Sequence, residues 1–506
     1  MITTGCGPAP SGSQRSTMSV SDGPVRIVCG VVGRSRESRS GHCRSGIVSF
    51  RAWGGVCDNS GFGASQPTRQ SKARVAREGV RIRGLLLASA HSVMHKQAMT
   101  LISLPESRAE AEALDATDPL ALCRDAFALP EGVTYLVGHS LGPATIGALR
   151  NLRAASEGAW VNDRVGAWNS AEWIHLSEHV GNRLARLVGA KAGEVVVCDS
   201  VSINLFKLAA SALPLARTRR LVVEEDEFPT DQYILDGLSG LTGVDLVRAA
   251  PGKGISQLEG GVLVKSLVNY RSSQLADMAA DEASAQSGGG VIIWDLSHAT
   301  GVLDVKLSAA SARFATGCTY KYLNGGPGAP AFVYARADVA DRLETPLPGW
   351  MGHSAPFEFT SAYAPKTGTA RFASGTPPIL SLAALNGALD VFDGVSMVEV
   401  QSKARALGQM CLMMAEGMGL DIASPLDPAS RGGHVSVCHP DGYPLVRALA
   451  DWGIEADFRT PHTIRFGLSP LFLGYAEIWD AMSELAEIIE TRSWDTEAYR
   501  EKAIVT

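Results

Sequence analysis

The stretch Val291-Ile-Ile-Trp-Asp-Leu-Ser-His298 decides the fold. Its apolar start over 291–294 is typical of a strand buried inside a sheet. Asp295 and His298 follow directly, so they lie just beyond the carboxyl end of that strand. Open α/β sheets bind their ligands at this edge. The stretch therefore predicts a buried strand with a polar site at its end.

Strand-like and helix-like segments alternate around this stretch. Further strands are predicted over 194–198, 220–223 and 261–267, and a helix over 204–213. Such alternation predicts an α/β fold with a mainly parallel sheet. Beyond residue 378, helices are predicted over 379–392, 400–418, 443–452 and 475–491, with strands over 434–439 and 463–467. This mixture predicts a smaller α+β domain at the C-terminus.

The predicted organisation has four parts. Residues 111–160 form an N-terminal segment that packs on the small domain, residues 161–378 the large domain, and residues 379–506 the small domain. Residues 1–93 are rich in Gly, Ser and Arg without a sustained period, which favours either an over-extended translation start or a disordered tail. The over-extended start is preferred, with the natural start near Met94 or Met99. A targeting peptide is the alternative, but the segment is very long for one.

Composition excludes several classes of protein. Of 506 residues, 45% are hydrophobic and 19% charged, as in a globular enzyme. Residues 1–93 hold thirteen Lys or Arg against four Asp or Glu, a net charge of +9. Because the whole chain has a net charge of -6, residues 94–506 carry -15. That acidic remainder argues against a nucleic-acid partner. No apolar run is long enough for a membrane span. Nine scattered cysteines without metal-ligand spacing predict reduced thiols in a cytoplasmic protein and no metal site.

A second segment, Gly317-Cys-Thr-Tyr-Lys-Tyr-Leu-Asn-Gly-Gly-Pro-Gly328, places a lysine between two tyrosines and before a glycine-rich turn. Taken singly, an Asp at a strand end is more often a cap, and such a Lys is usually solvated. Together, Asp295 and Lys321 are the acid and amine that an aldehyde cofactor needs, one to keep its pyridine nitrogen protonated and one to hold it. Val201-Ser-Ile-Asn204 adds a phosphate site, because it lies between a predicted strand and a helix.

Seven motifs make this pattern specific, and in order along the chain they resemble those of kynureninases. They are Cys198-Asp-Ser-Val-Ser-Ile-Asn-Leu-Phe-Lys207, Phe228-Pro-Thr-Asp231, Trp294-Asp-Leu-Ser-His298, Thr319-Tyr-Lys-Tyr-Leu-Asn-Gly-Gly-Pro-Gly328, Gly349-Trp-Met-Gly-His353, Gly375-Thr-Pro-Pro-Ile379 and Arg465-Phe-Gly-Leu-Ser-Pro470. The resemblance runs from about residue 114 to the C-terminus. It implies a fold-type-I enzyme that uses pyridoxal 5'-phosphate, a homodimer with its sites at the subunit interface, and a small amino-acid substrate. The implied reaction of tryptophan catabolism hydrolyses the Cβ–Cγ bond of kynurenine to anthranilate and alanine.

The resemblance also implies residue roles. Lys321 would hold the cofactor as a Schiff base and move the α-proton, Asp295 would partner the pyridine nitrogen, and Tyr320 would relay protons. Arg465 would bind the substrate carboxylate, a task that suits a guanidinium. Ser140 and Trp168 would form the substrate-side wall. The other implied cofactor-binding residues are Val201, Ser202, Phe228, Pro229, Thr230, Asp231, Ser266 and His298, with Trp350 and Thr376 reaching across from the other subunit.

Three departures from the family pattern bear on substrate preference. His139 stands where the family usually has Asn, Val201 where a small hydroxylic residue is common, and Tyr-Arg-Ser-Ser follows Asn269 where a Thr-Gly pair is expected. They leave the cofactor core of Asp295 and Lys321 intact. Thr376 resembles the bacterial pattern and favours kynurenine over its 3-hydroxy form.

Three other interpretations stay open on the sequence. Gly138-His-Ser-Leu-Gly142 fits the GxSxG motif of serine hydrolases, between a strand-like and a helix-like segment. A cysteine desulfurase-like or aminotransferase-like enzyme shares the logic of Asp295 and Lys321, although neither Cys411 nor Cys438 stands in a mobile loop pattern. A non-enzymatic relative that keeps only the fold is the third, and the intact acid–amine pair argues against it.

Overall fold

The computed structural model describes residues 104–502, and these belong to one compact unit. The prediction for residues 1–93 lies outside the described part. The α-helices are α1 Arg108–Asp115, α2 Ile146–Arg153, α3 Val161–Asp163, α4 Ala167–Ser170, α5 Leu176–Leu187, α6 Val201–Ala212, α7 Pro229–Thr242, α8 Gly254–Gln257, α9 Met278–Ser287, α10 Ala337–Ala340, α11 Ile379–Ala388, α12 Met397–Gly417, α13 Gly442–Asp451, α14 Tyr475–Thr491 and α15 Glu497–Arg500. The strands are β1 Thr134–Tyr135, β2 Val195–Val197, β3 Arg220–Glu224, β4 Asp245–Ala249, β5 Val262–Ser266, β6 Val291–Asp295, β7 Phe314–Gly317, β8 Phe332–Ala335, β9 Asp421–Ile422, β10 His434–Cys438, β11 Ile454–Glu455, β12 Asp457–Arg459 and β13 Thr463–Gly467.

A seven-stranded sheet forms the centre, in the order β2-β8-β7-β6-β5-β3-β4. β4, β3, β5, β6 and β7 pair in parallel, whereas β8 runs antiparallel to both of its neighbours. Every residue of β6 is buried, as expected of an apolar strand with strands on both sides. The α/β class and the mainly parallel sheet are confirmed. Because β5, β6 and β7 are parallel, their carboxyl ends meet at one edge.

A second sheet lies in the C-terminal part, where β12, β13, β10 and β9 pair antiparallel in that order. β1 pairs in parallel with β11, and α1 is tied to α14 because Asp115 accepts hydrogen bonds from the first N–H groups of that helix. α2 packs on α11, with Gly147 and Gly387 in close approach. Residues 111–160 thus contact the C-terminal part. The four-part domain division itself stays a prediction.

Most predicted elements occur with boundaries shifted by a few residues. α12 begins at Met397 where the sequence predicted a start at 400. α6 begins at Val201 where the sequence predicted a start at 204. Its N-cap is Ser200, whose hydroxyl accepts a hydrogen bond from Ile203 N, so the first turn forms earlier than the apolar pattern indicates. Helix 379–392 ends its α-helical part at Ala388 and continues as a 3-10 turn.

Among the described residues, no single helix is both long and apolar enough to cross a bilayer. The segments Ile379–Phe392 and Met397–Gly417 meet that criterion only as a pair bent by 83°.

Candidate active site

The carboxyl edge of the central sheet collects the polar residues that the sequence singled out. Ser266 ends β5 and pairs in register with Asp295, the last residue of β6. Asp295 in turn pairs with Thr316 of β7, after which the chain turns through Cys318 to Lys321. The parallel register therefore brings the acid, the serine and the lysine-bearing loop to one place.

Lys321 contacts His298 directly, with 2.8 Å between Lys321 Nζ and His298 Nε2. Burial, together with the charge of Lys321, lowers the pKa of His298 well below its usual value. The imidazole is therefore neutral at physiological pH, and its Nε2 can accept a hydrogen bond from the lysine amine. Lys321 is only partly buried, so its amine remains reachable.

Two buried carboxyl groups, Asp231 and Asp295, lie near this lysine, and a third, Glu227, lies near those two. Burial raises the pKa of Asp295, of Asp231 and of Glu227, the last to about 7. The positive charge of Lys321 lowers the pKa of Asp231 and of Asp295, although less than burial raises it. Both carboxyls therefore lie within electrostatic reach of the lysine amine. Ser297 N donates to Asp295 Oδ1 over 2.8 Å.

Asp231 has an unmet requirement that bears on the cofactor. Both of its carboxylate oxygens are buried and, within the described residues, neither has a hydrogen-bond partner. An orphaned buried carboxylate is costly unless a donor or a cation reaches it. A protonated pyridine carries a positive charge and an N–H donor, and such a group would offset the buried carboxyls of Asp231 and Asp295. The two buried carboxyls therefore fit the cofactor that the sequence implies.

The start of α6 is the predicted phosphate site. Val201 and Ser202 lie in the first turn of this helix, not ahead of it as predicted. Since the Ser200 hydroxyl occupies Ile203 N, the N–H groups of Val201 and Ser202 are left at the helix start, where an anion is favoured. The Ser202 hydroxyl is partly exposed beside them.

The turn before α7 supplies an aromatic ring. Phe228 precedes the helix, and Pro229 and Thr230 open it. The Phe228 ring is half exposed and meets Tyr270 edge to face, with 5.2 Å between ring centroids. Glu227, one residue earlier, accepts hydrogen bonds from Ser266 N at 2.7 Å and from Ser266 Oγ at 2.5 Å. Ser266 is thus fixed by a carboxylate that the sequence did not single out.

Tyr320 precedes the lysine and is partly buried. The charge of Cys318 and burial together raise its pKa above the usual range of a phenol, so the hydroxyl keeps its proton. Its backbone carbonyl accepts a hydrogen bond from Gly142 N at 2.7 Å.

Gly138-His-Ser-Leu-Gly142 therefore packs on the lysine loop. A side chain at Gly142 would approach Lys321 O and Asn324 Oδ1 closer than 3.0 Å, so only glycine fits there. Ser140 lies in a turn, and the next helix, α2, begins only at Ile146. A nucleophile elbow needs its serine on a sharp strand-to-helix turn. The serine hydrolase interpretation thus lacks its structural context, and the motif serves the lysine site.

Arg465 lies in the middle of β13 with its side chain 2% exposed. It forms an ion pair with Asp457, and its Nη1 donates to Tyr270 O at 2.5 Å. Its Nε is buried and has no hydrogen-bond partner among the described residues. The guanidinium therefore keeps a donor for a ligand.

Three predicted residues stand apart from this group. Trp168 contacts Trp173 edge to face, and Trp350 contacts Phe357 in the same way. Thr376 is exposed in a loop. Within the described part of the chain, none of Trp168, Trp350 and Thr376 hydrogen-bonds to the Lys321 group.

Sequence reasoning missed three buried residues near the site: Glu227, His434 and Asp457. His434 stacks on His139 with 5.2 Å between ring centroids and lies 5.4 Å from the ring of His298. Glu227 was detectable, since it adjoins Phe228. Asp457 and His434 gave no local signal, because only strand pairing brings them to Arg465 and His139.

The two late cysteines do not occupy the mobile loop that a desulfurase uses. Cys411 is buried within α12, and Cys438 ends β10. Neither thiol stands in a loop, so neither can serve as a mobile nucleophile.

Comparisons with known proteins agree with the geometry. Residues 400–485 match the family model described as the kynureninase C-terminal domain. A kynureninase of Pseudomonas fluorescens is 42% identical over 416 residues, which is 79% of this chain and 100% of that protein. A kynureninase of Deinococcus radiodurans is 41% identical over 394 residues, 76% of this chain and 96% of that protein.

Solved structures show the same fold at low identity. A cysteine desulfurase from Thermococcus onnurineus superposes with a TM-score of 0.64 at 16% identity, covering 73% of this chain and 98% of that one. A C-DES mutant with glycine covalently linked to its PLP cofactor gives a TM-score of 0.62 at 16% identity, covering 72% and 99%. This chain matches both kynureninases at more than 40% identity over nearly the whole of their length, so it belongs to the kynureninase family.

Proposed function

We propose that this protein hydrolyses L-kynurenine to anthranilate and L-alanine with pyridoxal 5'-phosphate as its cofactor. The observation that carries the proposal is the grouping of Lys321, His298, Asp295 and Asp231 at the carboxyl edge of the sheet in a chain of this family. An amine beside two buried carboxyls, one of them orphaned, is suited to a cationic pyridine ring.

The cofactor, when bound, supplies an electron sink next to the substrate's α-carbon. Lys321 would hold its aldehyde end, Asp295 its ring nitrogen, and the first turn of α6 with Ser202 its phosphate. Phe228, Pro229, Thr230, Asp231 and Ser266 would complete the cofactor site.

The chain's own residues then handle protons and the substrate. Lys321 Nζ, once free, is the base that takes the α-proton, and neutral His298 at 2.8 Å orients that amine by accepting a hydrogen bond from it. Tyr320, whose phenol stays protonated, is the proposed donor nearby. Arg465 binds the substrate carboxylate, with Ser140 and Trp168 on the substrate side. Overall, water is consumed, the Cβ–Cγ bond breaks, and the acyl carbon leaves as the carboxylate of anthranilate.

Kynurenine itself is the proposed substrate, rather than 3-hydroxykynurenine. The proposal rests on Thr376, where the sequence resembles the bacterial pattern. Turnover of both compounds by the same preparation measures the preference, and a higher kcat/KM for the 3-hydroxy form would contradict it.

The test of the reaction is direct. Purified protein supplied with pyridoxal 5'-phosphate and kynurenine is expected to release anthranilate, followed by its fluorescence, and alanine in equal amount. Protein carrying Lys321→Ala is the blank. Absence of anthranilate from cofactor-loaded wild type would overturn the proposed function.

The active form is proposed to be a cytoplasmic homodimer with each site at the subunit interface. Large apolar side chains are exposed on two stretches, with Val165 82% and Phe359 78% exposed. Trp160, Val161 and Phe357 are exposed beside them. Apolar surface of this extent favours burial against a partner. Light scattering on purified protein is expected to give twice the chain mass.

A further inference from the structure

Arg465 reaches its position through strand pairing with an acidic residue. β12 and β13 are antiparallel, and Asp457 stands directly opposite Arg465 in their register. Directly paired positions place their side chains on one face of the sheet. The two side chains form an ion pair that is 97% or more buried on both sides. The substrate-binding arginine proposed above is therefore fixed by an internal carboxylate.

His139 lies behind the same carboxylate. Its Nε2 is 3.3 Å from Asp457 Oδ2, and its side chain is fully buried. The chain at Leu136 and Val137 pairs with Gly467 at the end of β13, which brings His139 to this place. A side chain at Gly467 would overlap His139 Nδ1, so the glycine makes room for the imidazole.

The charges in this cluster favour a fixed guanidinium. Burial alone would raise the pKa of Asp457, but its contacts with His139 and Arg465 lower it below the usual range. Burial and Arg465 lower the pKa of His139 to about 3, so this imidazole is neutral. Arg459 Nη1 donates to the second carboxylate oxygen, Asp457 Oδ1, at 2.6 Å. One carboxylate thus meets two guanidinium groups, which leaves a net positive charge for an incoming carboxylate.

We propose that Asp457, backed by His139, is a positioning residue that holds Arg465 ready for the α-carboxylate of the substrate. The inference rests on the proposed function, because it takes an amino-acid carboxylate as the ligand of Arg465. Asp457 and Tyr270 O hold the two terminal nitrogens, so the guanidinium cannot rotate, while Nε stays unpaired. An arginine side chain held in one orientation loses less freedom when it binds a carboxylate.

The test uses Asp457→Asn, which keeps the shape of the side chain and removes its charge. Loss of a charge-assisted hydrogen bond weakens binding by about tenfold or more. We expect the KM for kynurenine to rise by that factor while kcat changes far less, because Asp457 acts on the substrate through Arg465. His139→Asn, the residue usual in the family, is expected to raise KM by a smaller factor. Asp338→Asn, which removes an exposed partner of Arg336, is the matched control and leaves both constants unchanged.

Binding without turnover separates the two proposals. 3-Benzoylpropanoate keeps the carboxylate and ketone of kynurenine and lacks both of its amino groups, whereas butyrophenone lacks the carboxylate as well. Calorimetric titration is expected to show that Asp457→Asn weakens binding of 3-benzoylpropanoate and leaves butyrophenone unaffected. A wild type that binds 3-benzoylpropanoate but makes no anthranilate would overturn the reaction and keep the role of Asp457.

Three results would overturn the positioning role. They are unchanged or tighter binding of 3-benzoylpropanoate by Asp457→Asn, an equal loss for both probes, and a fall in kcat with unchanged KM. If Asp457→Asn does not fold, the same titration is made with His139→Asn. An unchanged affinity of that variant for 3-benzoylpropanoate would contradict the positioning role.

Discussion

Buried carboxyl groups dominate the site at the level of single residues. Asp231, Asp295 and Glu227 are all buried near one another, and burial raises the pKa of each; Asp231 and Asp295 also lie within electrostatic reach of Lys321. Like charges close together in a medium of low polarity cannot all be ionised at low cost. A cationic ligand between them relieves this cost, so binding of a protonated pyridine is linked to the charge state of the site.

Lys321→Ala tests the covalent anchor of the cofactor. Without the amine, the protein is expected to retain no pyridoxal phosphate after borohydride reduction, as measured by peptide mass spectrometry, and to release no anthranilate. Lys306→Ala is the matched control, because Lys306 is an exposed lysine paired only with Asp304. Reductive labelling that persisted in Lys321→Ala would mean that another amine holds the cofactor.

Glu227 gives a pH-dependent prediction. Its pKa in the folded protein is raised to about 7 from an ordinary value near 4.5, so its protonated form is the one that folding favours. The stability that it contributes is complete below the ordinary value and is lost as the pH rises through about 7. Glu227→Gln, which cannot ionise, is therefore expected to melt higher than wild type at pH 8, by an amount that shrinks towards pH 5.

Calorimetry at several pH values measures this difference. Glu225→Gln alters an exposed carboxylate two residues away and should show no such trend. A melting difference for Glu227→Gln that is equal at pH 5 and pH 8 would contradict the assignment, because it would reflect lost hydrogen bonds to Ser266 rather than titration.

At the level of strands, helices and loops, the local sequence pattern predicted those elements whose formation depends on residues close together in the chain. The apolar run that begins at Val291 predicted β6, and alternation around it predicted a parallel sheet, because burial on both faces demands such runs. The start of α6 was predicted too late, since its cap, Ser200, precedes the apolar pattern. Lys321 and Asp295 were predicted from chemistry joined to family motifs.

What the sequence could not predict depends on strand register. Asp457 meets Arg465 only because β12 and β13 pair in one particular alignment, and a shift by one residue would place it on the other face. Glu227 meets Ser266 across thirty-nine positions of chain. Contacts of this kind leave no local periodicity, so only the folded structure identifies them.

Gly142 tests how the loop that contains Ser140 supports the lysine loop. A methyl group at this position would meet Lys321 O and Asn324 Oδ1 closer than 3.0 Å, so Gly142→Ala must displace the backbone that carries Lys321. Overpacking of this sort costs about 1–3 kcal/mol. We expect Gly142→Ala to lower both the melting temperature and kcat, whereas Ser140→Ala at the neighbouring position should keep the melting temperature.

Gly237→Ala is the opposite control. Gly237 lies within α7 with nothing within 4 Å of an added methyl group, so alanine there should stabilise the protein by about 1 kcal/mol. If Gly142→Ala were as stable and active as wild type, the contact between the two loops would not hold the lysine in place.

At the level of the whole molecule, the described chain leaves part of its predicted site unassembled. Trp350 is partly exposed and contacts Phe357, and Thr376 lies in an exposed loop of the same region. Gly349 packs against the backbone of Ser374, so these two predicted residues belong to one surface. An exposed aromatic surface that carries cofactor-binding residues favours a site shared between two subunits.

Mixed dimers test this arrangement. Lys321→Ala and Trp350→Ala, each expected to be inactive alone, are co-expressed in equal amounts. Half of the dimers then contain both chains, and each has one site with an intact lysine and an intact tryptophan, so activity should return to about a quarter of the wild-type value. Co-expression of Lys321→Ala with Asp295→Asn is the control, because both residues come from the same chain and no mixed dimer has an intact site. If Trp350 served the site of its own chain, its mixture with Lys321→Ala would stay as inactive as the control, because the intact lysine and the intact tryptophan would never meet in one site.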